Sequence, residues 1–180
     1  MRLYALPALL IVLGACSPTL NWRTVDVSGT PLSVMLPCKP DQATREVDWG
    51  KGPQPLAMLG CEAGGATWAV SHLLVAQPTD APAVAEQWQQ ALQKQLQLPR
   101  AVPGSEPFLI KNGLELPQAR AVAWQGRDAQ GNAVFVDARW FVRLEGGGAR
   151  VYQAMVLSPG KPVDRTARDS FVQGLQLHSM

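Results

Sequence analysis

Histidine and cysteine are scarce in this chain: two and three, respectively, among 180 residues. A tetrahedral metal site takes three or four such ligands at compatible spacing, and no such group can be drawn, so no metal and no cofactor is expected. Neither sign of charge dominates, with 16 Lys and Arg against 14 Asp and Glu. That near balance argues against a nucleic-acid partner, which calls for a concentrated basic face. Internal repeats and low-complexity blocks are absent. A membrane-spanning helix needs about 20 apolar residues, and the apolar run from Leu3 to Leu13 is shorter and is followed by Ser17-Pro18-Thr19. Gly64-Gly65 and Gly146-Gly147-Gly148 lack the spacing of a phosphate-binding loop and read as turns. What is present is a hydrophobic fraction of 47%, ordinary for a globular core.

The first sixteen residues carry an address. Met1-Arg2, the apolar run and a small-residue cleavage site have the layout of a secretory signal. Leu13-Gly14-Ala15-Cys16 resembles the lipobox of bacterial lipoproteins. The resemblance implies removal of residues 1–15 as a signal peptide, diacylation of the Cys16 thiol, acylation of its new amino group, and a lipidated tether over 16–21. Two or three acyl chains hold a protein stably on a bilayer where one holds it reversibly. Ser17, standing where an Asp would retain the protein in the inner membrane, resembles the signal for the outer membrane. The expected location is thus the periplasmic face of a bacterial outer membrane, by lipid anchor. The alternatives are an ordinary secretory signal with Cys16 a bystander, or a transmembrane anchor.

Cys38 and Cys61 remain. An exported compartment and an even count favour a disulfide between them, against a pair of free thiols or a metal site. Residues 39–55 between them are polar and rich in proline and glycine, so a crosslink would hold what packing does not.

Residues 22–180 have the size of a single domain. Trp22–Val27 and Leu32–Leu36, separated by Ser28-Gly29-Thr30-Pro31, predict an opening hairpin. Strands are predicted at Leu56–Cys61 and Ala66–Val75. Pro78-Thr79-Asp80 then introduces a helix over Ala81–Leu98, with Val84, Trp88, Leu92 and Leu96 on one stripe. A meander of Ala119–Gln125, Val134–Leu144 and Val151–Leu157 follows, and a short helix near Asp164 closes the chain on Ala167, Phe171 and Leu175. Strands joined by local turns, interrupted by two helices, imply α+β: a mostly antiparallel β-sheet with two main helices packed on it.

The opening hairpin ending in Leu36-Pro37, the long helix after Asp80, the strand triplet containing Arg150-Val151-Tyr152-Gln153 and the closing Phe171 helix together resemble the PsbP-like α/β/α sandwich. The family shares no universal catalytic motif. The resemblance implies an accessory or assembly protein of an envelope complex, with an envelope protein as partner, and no enzyme. A module binding a small ligand or cell-wall polymer in a cleft between sheet and helix is the alternative.

Ser71-His72 invites a nucleophile-and-base reading, but neighbours on a strand point to opposite faces, which opposes a dyad. Glu46, Asp48 and Glu62 read as solvated carboxylates. His178, near the end of the chain, is expected to be mobile. The remaining functional signal is the face of the 134–144 strand that carries Phe135, Arg139, Phe141 and Arg143. Aromatics and arginines sharing one surface make a candidate partner-binding patch, unless a helix covers them.

Overall fold

A computed structural model describes residues 19–50, 52–98 and 105–179. The signal-like segment and Cys16 lie outside the described residues. The chain forms β1 (Arg23–Asp26), β2 (Leu32–Leu36), β3 (Asp41–Asp48), β4 (Pro53–Ala63), β5 (Ala66–Val75), α1 (Ala81–Gln95), β6 (Glu106–Pro107), β7 (Arg120–Arg127), β8 (Ala133–Glu145), β9 (Gly148–Pro159), α2 (Arg165–Gln173) and β10 (Gln176–Leu177). The protein is α+β, and every strand pairing among the described residues is antiparallel.

Two meanders build a seven-stranded sheet of order β3-β4-β5-β9-β8-β7-β6. The chain leaves the first meander at β5, crosses through α1, and returns so that β9 adds beside β5. Both central hairpins turn on glycine pairs, Gly64-Gly65 at φ +61° and +75° and Gly146-Gly147 at +54° and +90°. Two successive positive-φ residues match the twist of the flanking strands, which is why two-residue turns take glycine there. A second sheet, β1-β2-β10, covers one face of the large sheet together with α2. Asp164 caps α2 by accepting from the Thr166 and Ala167 amides.

Three apolar clusters hold these layers. Under the small sheet, Val34, Leu36 and Phe171 pack on Trp68, Val70, Phe141 and Tyr152. On the opposite face the first turns of α1 set Val84 and Trp88 over Leu73, Val142 and Val151. Its last turn sets Leu92 and Leu96 over Val122, Trp124 and Trp140. The helical stripe read from the fourth-residue spacing is therefore the buried one.

The strand β3 was not predicted. Its residues are almost all exposed, because it is an edge strand bonded only to β4, so no burial alternation marks it. Charges at Asp41, Arg45, Glu46 and Asp48 suit an edge that must not recruit another chain. The segment is poor in packing, as its composition predicts, but it is extended. Asp48 accepts from the Gly50 and Gly52 amides and shapes the β3–β4 turn. Cys38 and Cys61 form a disulfide with Cα atoms 6.0 Å apart. Because Cys38 follows β2 and Cys61 lies in β4, the bond ties the small sheet to the large one.

Candidate functional site

The alternation predicted for β8 is present, but its second face is not an open patch. Phe141 is buried, stacking on Tyr152 at 4.9 Å and packing against Phe108. Arg143 is 7% exposed and donates to the His178 carbonyl. Arg139 is ion-paired with Asp137, each side chain 12% exposed. Burial, reinforced by the Arg168 cation, pushes the Arg139 guanidinium down to about 10, still charged at neutral pH. Arg168 also reaches Asp137 at 3.9 Å and Asp169 at 2.8 Å, so this group ties α2 to β8. Phe135 alone of the four lines an open hollow, of about 280 Å³ beside Trp124 and Val163. The accessibility that a partner patch at Phe135, Arg139, Phe141 and Arg143 requires is missing, because the small sheet and α2 lie on that face. Replacing Arg139 and Arg143 together by serine is therefore expected to lower the melting temperature, read by circular dichroism, by removing contacts that hold α2 and the chain terminus.

The same contacts correct the expectation for the terminus. His178 is docked: its Nε2 lies 2.8 Å from Ser33 Oγ and its amide donates to the Pro31 carbonyl.

Ser71 and His72 do fall on opposite faces of β5. His72 meets a polar network that the sequence reading missed. Glu145 accepts from Tyr152 Oη at 2.7 Å and from Arg150 Nε at 2.6 Å, and Arg150 Nη1 lies 3.1 Å from His72 Nδ1. That donor requires His72 to be the Nε2–H tautomer. Desolvation, then the Arg150 cation, lowers His72 to about 4 against the partial opposition of Glu145. Burial and the Glu145 carboxylate raise Tyr152 far above the usual phenol range. Both groups are held neutral, with Tyr152 Oη spent on Glu145 and His72 Nδ1 on Arg150. The available signal was Glu145, Arg150 and Tyr152 spaced across a two-residue turn, a pattern that only a fixed hairpin register brings together.

Ser71 faces the other way, into a groove of about 340 Å³ between α1 and the β3–β4 hairpin. The groove follows from dimensions. Seven strands at about 4.8 Å spacing span about 29 Å, whereas one helix covers about 10–12 Å. Since α1 packs over β9, β8, β7 and the Leu73 end of β5, the rest of the face formed by β3, β4 and β5 is left open as the groove. Register then sets the floor: Ala43, Met58, Ser71 and Gln153 form one row across the strands. Gly60, Ala69 and Met155 form the next. Small residues dominate these rows, so the floor is low. At Gly60 an added Cβ would lie 2.7 Å from the Trp68 carbonyl, keeping that position bare. Trp49 and Trp88, their rings 6.2 Å apart, close one end, and Leu92 and Leu96 form a wall. Gln153 is 6% exposed, and among the described residues its Nε2 finds no acceptor, nor does Trp49 Nε1.

Among the described residues no group of three His, Cys, Asp or Glu could hold a metal ion, and no helix is long and apolar enough to cross a membrane. Neither a protein-family model nor a curated protein matches the chain.

Proposed function

We propose that the protein is a lipid-anchored lipoprotein of the bacterial outer membrane whose single PsbP-like α+β domain, on the periplasmic side, acts by binding, as a non-catalytic accessory or assembly module of an envelope complex. The observation that carries this reading is the lipobox-like Leu13-Gly14-Ala15-Cys16 ahead of a domain in which Glu145, Arg150, His72 and Tyr152 are bonded into one network. The disulfide is consistent with an oxidising compartment. Replacing Cys16 by alanine is expected to release the protein from membranes and to abolish metabolic labelling with a radioactive fatty acid, since the anchor lies ahead of the domain. Unchanged retention and labelling in membrane fractions would overturn the assignment. Capture of an envelope protein from detergent-solubilised membranes tests the accessory role.

A second reading, a module that binds a small ligand, is favoured by one observation: the groove beside α1. Pockets that bind small molecules are typically apolar clefts with a few placed polar groups, and this groove has that make-up.

A further inference from the structure

Resting on that second reading, we propose that the groove binds a single fatty acyl chain bearing a carboxylate. The head lies over Ser71, between Arg45 and Gln153, and the chain runs over Gly60 and Ala69 toward Leu96 and Leu157. The polar inventory sets the sign of the head. The two unpartnered side-chain nitrogens bordering the groove, on Trp49 and Gln153, are N–H donors. Arg45, on β3 in the same lining, is exposed and makes no ion pair with another described residue. A buried donor without an acceptor costs free energy, and a carboxylate offers acceptor capacity only. Asp41, the carboxylate of the lining, stands beside Gly60 in the next row, about 7 Å along the strand from the Ser71 row, so it borders the chain, while Arg45 lies on the side of the head.

The apolar inventory sets the tail. Past Ser71 the floor is Gly60, Ala69 and Met155, and the wall is Leu92 and Leu96. Met58 and Met155 are unbranched and adapt to an irregular chain. A peptide would fit worse, because each of its residues brings an N–H and a C=O that must be paired. The strands beneath the trough, β4, β5 and β9, are bonded on both sides and have no backbone groups to spare.

The test uses membranes carrying the full-length chain, exposed to palmitic acid bearing a photoreactive diazirine, with adducts mapped by peptide mass spectrometry. Adducts are expected on the segments containing Met58, Trp88 and Met155, competed away by unmodified lauric acid. Arg45→Gln is expected to weaken that competition about tenfold or more, the loss of a hydrogen bond to a charged group. Ala69→Phe fills the trough and is expected to remove these adducts without lowering the melting temperature much. Should it fail to fold, Ala43→Trp on the exposed edge strand blocks the same row and carries the same expectation. Adducts spread over the surface, or indifferent to lauric acid, would overturn the proposal. If a photoreactive long-chain alcohol labels the groove equally and Arg45→Gln has no effect, the carboxylate falls while the ligand-binding reading stands. No competed label in the groove from either probe overturns both.

Discussion

Glu145→Gln is expected to lower the melting temperature by roughly 10 °C, from a loss of about 3–5 kcal/mol. The substitution keeps the shape and removes the charge. Glu145 and Arg150 are only 10% and 14% exposed, and Arg150 stands opposite Arg143 in the β8–β9 register. Without the carboxylate, two guanidinium groups face each other in a poorly hydrated site, and one of the two acceptor positions that serve Tyr152 Oη and Arg150 Nε becomes an NH2 donor. Removing one partner of a buried pair costs more than the pair itself contributes, because the other charge is left uncompensated. Circular dichroism melts of the two proteins check this, and a shift under about 2 °C, less than 1 kcal/mol on that scale, would contradict it. The same network sets an acid limb in the native protein. Folded His72 resists protonation until about pH 4, while the unfolded imidazole titrates near 6.5. The unfolded state therefore binds more protons between those values, and stability falls as pH drops from 6.5 toward 4. Melts at intervals through that window should show the decline.

Loss of the Cys38–Cys61 bond is expected to cost about 3 kcal/mol by chain entropy for the 23-residue separation, again roughly 10 °C. The physical need is specific to this arrangement. The enclosed segment contains β3, an edge strand with little buried surface, and Cys38 follows a strand of the small sheet while Cys61 lies in the large one. Without the bond, β3 is held by its ladder to β4, and the small sheet loses a covalent tie to the large one. Cys38→Ser with Cys61→Ser, and the native protein under reductant, should show the same lowered melting temperature. If reductant leaves the melt unchanged although thiol labelling shows the bond broken, the disulfide does not stabilise the fold.

Long, well-patterned elements were legible from residues. Val84, Trp88, Leu92 and Leu96 gave α1 its buried stripe, and glycine pairs gave two hairpins their turns. Two kinds of element were not. The strand β3 carries no alternation because neither of its faces is buried, and β6 and β10, two residues each, are too short to show a period. Arg143 is the instructive residue at the site level. Alternation correctly put it with Phe141 and Arg139, but period alone says which residues share a face and not what lies on that face. The groove was hidden for the same reason: Gly60, Ala69 and Ser71 look like unremarkable small residues until strand register aligns them.

By itself the sequence determined the α+β class, the turns and the helical stripe, since these depend on contacts between residues close in the chain. The resemblance of Leu13-Gly14-Ala15-Cys16 to a lipobox and the parity of the other two cysteines are likewise local or countable. Only the tertiary structure decided that β9 inserts beside β5, that the small sheet and not solvent covers Arg143, and that one helix is too narrow for seven strands. Those outcomes depend on which surfaces meet across large sequence separations, where hydrophobic burial is non-directional and a local pattern is compatible with several partners.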